Sequence, residues 1–236
     1  SQLRFAKWQP QPSPELPADA DIWETLRARD VLLHHPYESF DSVIRLVQEA
    51  AEDRNVLAIK QVLYRTSGLS KIIAVLEQAA RNGKQVSVLM ELKARFDEAR
   101  NIEWARRLER AGAQVVYGLA GLKCHAKALM IVRREPDRIR RYCHLATGNY
   151  NEVTARLYTD FGLLTSNPDF GDDVAGFFNM VTGISQPSRW RKITAAPHGL
   201  RQRLLHLIRR EAERAQSGRA AMIMAKLNSL SDPEMI

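Results

Sequence analysis

VLAIKQVLY, residues 56 to 64, is the stretch that decides the fold class. Its nearly continuous apolar run predicts a buried strand. Ser70 then stands where a helix N-cap belongs, ahead of apolar residues at helical spacing that end near Gly83. A second helix separates two further predicted strands, QVSVLMEL (85 to 92) and AQVVYGL (113 to 119). This β-α-β-α-β order predicts an α/β fold with a largely parallel sheet and helices packed on it.

The following part of the sequence predicts antiparallel pairing. AKALMIVRRE (126 to 135) and RRYCHLATG (140 to 148) are two strand-like runs, and residues 136 to 139 between them have the length of a hairpin connection. A strand over 160 to 165 and a helix over about 170 to 181 complete the pattern. We therefore expect a mixed sheet flanked by helices.

Composition and charge describe a folded protein with a polyanionic partner. The chain has 236 residues, 45% of them hydrophobic, and a formal net charge of +8. Such a charge suits nucleic acid, a phosphate chain, nucleotides or an acidic membrane surface, and does not choose among them. Two cysteines, Cys124 and Cys143, form no disulfide framework and fit the cytoplasm. No signal-peptide pattern and no apolar stretch of about 20 residues is present.

The ends of the chain differ in style from its centre. Residues 1 to 20 contain four prolines and no helical or strand period, which predicts a linker or the remnant of a preceding domain. Residues 21 to 187 hold the α/β pattern. Within 188 to 236, a basic amphipathic helix over 200 to 216 precedes AAMIMAKLNSL (220 to 230), which resembles the first strand of another domain. We expect an excised piece of a longer protein.

His125 and Lys127 are the first candidates for chemistry. If residues 121 to 135 continue as one strand, these two side chains share a face, with about 6 to 7 Å between their Cα atoms. A neutral imidazole can then attack a phosphorus atom while the ammonium neutralises a phosphoryl oxygen. The structural alternative is a strand-end histidine beside a lysine that extends into solvent.

Two arginines follow the predicted parallel strands. Arg65 comes after the first and Arg95 after the second, and ligands of open α/β sheets bind at the carboxyl ends of such strands. Arginine's planar fork suits bidentate binding of phosphate, although two solvated surface arginines would look the same. With a loop at 136 to 139, residue 135 pairs with 140. The polar turn at 147 to 151 then lies beside His125, and His144 lies opposite Ile131, too far away to touch His125.

Several other site classes find no support in the sequence. There is no Cys/His cluster typical of a metal cage and no P-loop motif. Mg²⁺ held mainly by substrate phosphates would leave little trace in a sequence. Aromatic residues are sparse and not interleaved with the basic runs, which argues against nucleic acid as the partner.

The longest motifs resemble the first family of polyphosphate kinases, which are phospholipase D-like enzymes, over nearly the whole chain from Asp21 onward. The matching stretches are LLHHPYESF, YRTS, ELKARFDE, GLKCHAKALMIVRRE, HLATGNYNEVTARLYTDFGLLT and KLNSLSD. The resemblance implies a phospholipase D-like mixed sheet and reversible transfer of the terminal phosphate of ATP to inorganic polyphosphate, with Mg²⁺ and a phosphohistidine intermediate. It also makes residues 21 to 187 the first catalytic domain and 188 to 236 the truncated start of the second.

The resemblance assigns roles to individual residues. The phosphorylated histidine falls on His125, with Lys127 beside it, and the nucleotide-contacting tyrosine on Tyr158. The metal-associated arginines fall on Arg65 and Arg95, which must act through phosphate oxygens because a guanidinium cannot ligate a cation. A second histidine of the family falls on His144.

The sequence departs from the wider phospholipase D pattern, H-x-K-x-x-x-x-D followed by G-S-x-N. Val132 replaces the aspartate of the first part, which disfavours phosphodiester hydrolysis. Asn149 and Asn151 match the second part loosely and are expected to bind substrate.

Partners follow from the same resemblance. They are ATP or ADP and inorganic polyphosphate, with no nucleic acid, a homo-oligomer in the full-length enzyme, and peripheral membrane association left open. The alternatives are a phospholipase D-like phosphodiesterase or nuclease, and a non-catalytic polyanion-binding fragment. We expect the chain by itself to be inactive in synthesis.

Overall fold

The computed structural model describes residues 8–64, 70–91, 98–119, 121–185, 189–227 and 229–236. The chain forms two compact units, one up to residue 187 and one from residue 188. The first unit contains the sheet and the candidate site. The second contains one long helix.

The first unit is built on a seven-stranded mixed sheet with the order β1-β7-β6-β5-β2-β3-β4. β2, β3 and β4 are parallel to one another, and the other neighbouring pairs are antiparallel. This mixed α/β architecture confirms the expected fold class. The strands are β1 Val31–His35, β2 Val56–Leu63, β3 Gln85–Met90, β4 Gln114–Tyr117, β5 Ala128–Arg134, β6 Ile139–Ala146 and β7 Asp160–Thr165.

Six α-helices and one short 3-10 helix are assigned among the described residues. The predicted cap at Ser70 is confirmed, because its hydroxyl accepts a hydrogen bond from the Ile73 amide. The helices are α1 Ile22–Ala28, α2 Asp41–Glu52, α3 Lys71–Arg81, α4 Glu98–Arg110, α5 Pro168–Val181 and α6 Leu200–Gln216, with the 3-10 helix at Thr154–Arg156.

The side chains of β5 alternate between two clusters of buried residues, one on each face of the sheet. Leu129 and Ile131 join the larger cluster, which includes apolar residues of α1 to α4. Ala128 and Met130 point to the other face, where α5 covers the sheet. Both faces of the central strands are therefore buried, and chemistry is left to the ends of the strands.

One edge of the sheet collects the strand ends that matter for function. Leu63, Met90 and Tyr117, the last residues of β2, β3 and β4, lie side by side. The antiparallel strands β5 and β7 begin at this edge, and β6 and β1 end there. We call it the site edge.

The hairpin register differs from the predicted one. Arg134 pairs with Ile139, and the Glu135 amide donates to the Arg138 carbonyl, so the connection is 135 to 138 rather than 136 to 139. Glu135 follows the last residue of β5 and is buried, and its carboxylate accepts hydrogen bonds from Arg27 and from the Tyr142 hydroxyl. Every predicted partner is displaced by two residues, and His144 lies opposite Leu129 instead of Ile131.

The two ends of the chain also differ from expectation. Among the described residues 8–20, Leu16 is buried in the main core and Gln11 exchanges main-chain hydrogen bonds with Tyr37 and Ser39, so this part is packed on the first unit rather than linker-like. β1 was not predicted, because its sequence VLLHH shows no alternation of apolar and polar residues. Residues 220–227 and 229–230 form no strand, since no described strand lies beside them to complete their hydrogen bonds.

Candidate active site

Tyr64, the first residue after β2, is the centre of the candidate site. The ammonium groups of Lys127 and Lys123 lie 5.2 Å and 5.4 Å from the centroid of its ring. The imidazole of His125 meets the same ring edge-on, with 5.2 Å between ring centroids. The aromatic ring therefore gathers one nucleophilic side chain and two cations at the site edge.

His125 and Lys127 come together in a different way from the predicted one. β5 begins at Ala128, so both residues lie in the loop before the strand and do not share a strand face. The Lys127 ammonium folds back to donate a hydrogen bond to the carbonyl of His125. On the far side of the loop, the buried Glu91 carboxylate accepts a hydrogen bond from the Cys124 amide at 2.8 Å.

Lys127 carries its charge into a buried position. Only 7% of its surface is exposed. Burial lowers the pKa of Lys127 to about 8, against smaller opposing effects of Cys124 and Asp160. Among the described residues, no carboxylate lies within ion-pair distance of its ammonium. A buried cation without a fixed counter-ion favours an anionic ligand.

His125 is tuned towards its neutral form. Its imidazole is exposed at the surface of the loop, yet partial burial, followed by the charges of Lys127 and Lys123, lowers its pKa below the ordinary value. A neutral imidazole keeps a lone pair for attack on phosphorus. The two lysines therefore favour the neutral form of His125 and place positive charge beside it.

A carboxylate and an asparagine line the neighbouring part of the edge. Asp160, the first residue of β7, accepts a hydrogen bond from the Thr147 hydroxyl at 2.8 Å. Gly148 packs so closely that a Cβ there would lie 2.5 Å from an oxygen of Asp160, which explains the glycine in the T-G-N-Y-N turn. Next to it, the side-chain oxygen of Asn149 is buried and finds no partner among the described residues.

The other predicted substrate residues are placed differently from one another. Tyr158 lies two residues before β7, and 63% of its surface is exposed, so its ring is accessible to a ligand. The side-chain oxygen of Asn151 instead accepts hydrogen bonds from the Val153 and Thr154 amides and shapes the turn. Arg65 and Arg95 fall outside the described residues, and their assignment stays a prediction.

His144 is separate from this cluster. It is fully buried, its Nδ1 lies 2.9 Å from the Tyr150 hydroxyl, and its Nε2 faces Gly162. Burial, with a smaller effect of His35, lowers the pKa of His144 to about 3. The predicted register was displaced by two residues, yet His144 pairs with Leu129 and not with the residues around His125, and its burial and its bond to Tyr150 leave it closed to a substrate.

Sequence reasoning missed four residues of the site, namely Tyr64, Glu91, Lys123 and Asp160. Tyr64 and Glu91 are the first residues of the motifs YRTS and ELKARFDE, in which the sequence analysis singled out only Arg65 and Arg95. Asp160 lies in RLYTDF, two residues from the predicted Tyr158. Their positions directly after or at the start of strands were the available signal, because such positions converge on one edge.

Neither a metal cage nor a membrane-spanning helix is found in the described residues. No cluster of three or more histidine, cysteine or acidic side chains is arranged for a cation in these ranges. Within the same ranges, every helix is too short or too polar to cross a bilayer.

Family models cover almost all of the chain. Polyphosphate kinase C-terminal domain 1 matches residues 21–187, and Polyphosphate kinase C-terminal domain 2 matches residues 193–236. The chain belongs to the polyphosphate kinase family. The similar curated polyphosphate kinases include those of Rhodopirellula baltica, 53% identical over 99% of this chain, and Halalkalibacterium halodurans, 51% identical over 96%.

Among similar solved structures, one is itself a polyphosphate kinase, and another shares the fold. The crystal structure of polyphosphate kinase from Porphyromonas gingivalis superposes with a TM-score of 0.81 at 39% identity, covering 92% of this chain and 36% of that one. Nuc of Salmonella typhimurium, a phospholipase D family member, covers 68% of this chain and 98% of its own with a TM-score of 0.52. At 12% identity this second likeness shows the fold alone. The chain spans 28% and 32% of the two curated relatives.

Proposed function

We propose that this chain supplies the phosphohistidine part of a polyphosphate kinase active site. In this proposal residues 21 to 187 are the first catalytic domain and 188 to 236 begin the second. The observation that carries the proposal is the packing of His125, Lys123 and Lys127 on one tyrosine ring at the sheet edge where α/β folds bind ligands.

In the first step, a ring nitrogen of His125 attacks the γ-phosphorus of ATP. An N–P bond forms, the bond from phosphorus to the bridging oxygen breaks, and ADP leaves with the electron pair. The lowered pKa of His125 keeps the attacking nitrogen unprotonated near neutral pH. Because the ring stands against Tyr64, its orientation is fixed before the substrate arrives.

Lys127 is placed to stabilise charge on the transferred phosphoryl group. Its ammonium is largely protonated at pH 7 with a pKa of about 8, and an arriving phosphate favours the charged form further. Arg65 and Arg95 are proposed to grip other phosphate oxygens. Mg²⁺ enters with ATP as the metal–nucleotide substrate, which suits an edge without a protein cage among its described residues. The exposed ring of Tyr158 is proposed to contact the nucleotide.

In the second step, a terminal oxygen of polyphosphate attacks the phosphohistidine. An O–P bond forms, the N–P bond breaks, and His125 returns to its neutral state. A phosphoramidate is a good phosphoryl donor, so the same route can run backwards from polyphosphate to ADP. The polymer is the acceptor in one direction and the donor in the other.

Mass spectrometry after incubation with ATP and Mg²⁺ tests this function. We expect an acid-labile, alkali-stable phosphate that is lost in His125→Ala and kept in His206→Ala, a control at an exposed histidine of α6. The experiment is run on this chain and on a chimera in which it replaces the matching segment of the Rhodopirellula baltica enzyme. Synthesis of polyphosphate is expected only from the chimera. An unlabelled but folded and active chimera would refute the role of His125.

A non-catalytic polyanion-binding role is the second candidate, favoured by the net charge of +8. It predicts polyphosphate binding with a steep salt dependence and little effect of His125→Ala. Phosphodiester hydrolysis is less favoured, because the aspartate position of the phospholipase D pattern is Val132, within β5.

A further inference from the structure

Asn101, in the first turn of α4, joins the ends of two parallel strands. Its side chain is completely buried, and its amide nitrogen lies 3.2 Å from the carbonyl oxygen of Tyr64 and 3.0 Å from that of Glu91. These are the first residues after β2 and β3. The strands themselves continue pairing by one further bond, from the Glu91 amide to the Leu63 carbonyl at 3.0 Å. The Asn101 side chain thus connects the two strand ends just beyond the last backbone hydrogen bond between them.

Both residues bonded by Asn101 contact the loop from Lys123 to Lys127. Tyr64 presents its ring to the side chains of His125, Lys123 and Lys127. Glu91 accepts the amide of Cys124, the residue before His125. Asn101 therefore reaches the loop from two sides through two separate contacts.

The chemistry of this position requires a side-chain donor. The two carbonyls belong to buried strand ends, and a buried carbonyl that loses its donor costs free energy. An aspartate has almost the same shape as asparagine but turns an oxygen towards both carbonyls. The substitution Asn101→Asp would consequently separate the hydrogen-bond role of the side chain from its volume.

We infer that Asn101 is a positioning residue that fixes the loop from Lys123 to Lys127 by holding Tyr64 and Glu91 in place. Its consequence for catalysis rests on the proposed phosphoryl transfer. Its effect on the loop does not.

Amide hydrogen exchange of the Asn101→Asp variant tests the inference without any substrate. We expect the peptide spanning residues 121 to 128 to exchange at least about two- to tenfold faster than in the unsubstituted chain, the range that loss of even one of the two hydrogen bonds gives. The control is Asn82→Asp, which makes the same chemical change where Asn82 donates to the Ala51 carbonyl at the opposite edge. That control is expected to leave the 121 to 128 peptide unchanged.

A general structural role gives a different result from a positioning role. If Asn101→Asp speeds exchange only within α4, or equally in all peptides, the inference is wrong. Should that variant fail to fold, Asn101→Ala, where water can take the place of the amide, is measured in the same way. A folded Asn101→Ala chain with an unchanged loop peptide would likewise overturn it.

A catalytic measurement in the chimera separates this inference from the proposed function. Misplacing the nucleophile should lower the rate of His125 phosphorylation with little change in the KM for ATP, because the substrate contacts remain. Faster exchange of the loop with an unchanged rate of His125 phosphorylation would support the positioning of the loop and reject its consequence for catalysis. Faster exchange in a chimera whose His125 takes up no phosphate even without the Asn101 substitution would support the positioning of the loop and count against His125 as the nucleophile. Unchanged exchange would reject the positioning role whatever the activity.

Discussion

Replacing Lys127 by methionine should stabilise the fold and abolish the proposed phosphoryl transfer. The side chain is buried, and its ammonium makes no ion pair with a described carboxylate. Methionine fills a similar volume without a charge and is readily accommodated in a core. The increase in the free energy of unfolding then measures how much the buried cation at the site edge destabilises the fold.

The lowered pKa sets the size of this effect. The pKa of Lys127 falls from 10.5 to about 8, and each pKa unit corresponds to about 1.4 kcal/mol, so holding the ammonium protonated in the fold costs about 3 kcal/mol at pH 7. We expect Lys127→Met to raise the free energy of unfolding by up to about this amount.

The pH dependence identifies the cause. Between pH 8 and pH 10.5 the unfolded chain binds the Lys127 proton and the folded chain releases it, so the unsubstituted protein gains stability as pH rises. Its deficit relative to Lys127→Met is complete below pH 8 and disappears towards pH 10.5. Urea denaturation of both proteins at a series of pH values measures this difference, in which contributions of other groups cancel.

Lys123→Met is the matched control for this experiment. It removes the same charge from the same loop and the same tyrosine ring, but Lys123 is exposed. The control should therefore show only a small stability change. A Lys127→Met difference that does not vary with pH, or a loss of stability at pH 7, would refute the argument that burial of the ammonium is costly. In the chimera, Lys127→Met should also lose phosphorylation of His125.

Three further predictions concern the surroundings of the site. As the pH falls from 6.5 towards 3, the unsubstituted chain should lose about 1.4 kcal/mol of stability per pH unit, because only the unfolded chain protonates His144. The substitution His144→Gln should remove this loss, which urea denaturation of both proteins at several pH values measures. Glu135→Gln should destabilise the fold by about 3 kcal/mol in urea denaturation, because Glu135 is the buried acceptor of Arg27 and Tyr142. Gly148→Ala should displace the Asp160 carboxylate, with about 1 to 3 kcal/mol lost in the same assay; an unchanged midpoint would contradict the close contact.

Much of the architecture follows from local sequence signals. The strands β2 and β3 and the helices α3 and α6 have apolar patterns and end signals that agree with each other, and the structure confirms them. His125 and Lys127 could be singled out because a histidine and a lysine are unusual before an apolar strand. Their meeting at the carboxyl ends of parallel strands follows from topology alone.

Other parts depend on contacts that no local pattern encodes. At the hairpin, whose register differs from the predicted one, Glu135 contacts Arg27, which lies 108 residues away in the sequence. Asn101 reads as an ordinary polar residue of an amphipathic helix until the ends of β2 and β3 appear beside it. Such residues are set by tertiary contacts, so the periodicity of the sequence does not mark them.

The buried charges at the two edges of the sheet differ in their partners. At the hairpin edge, the Glu135 carboxylate is only 1% exposed and has Arg27, Arg133 and the Tyr142 hydroxyl as partners, so its charge is balanced within the fold. At the site edge, the buried Lys127 has a carbonyl and an aromatic ring but no described carboxylate within ion-pair distance. The chain can evidently supply counter-ions for buried charges, since it does so at the hairpin. Lys127 has none among the described residues, and under the proposed function the phosphate oxygens of the substrate would supply the missing counter-charge next to His125.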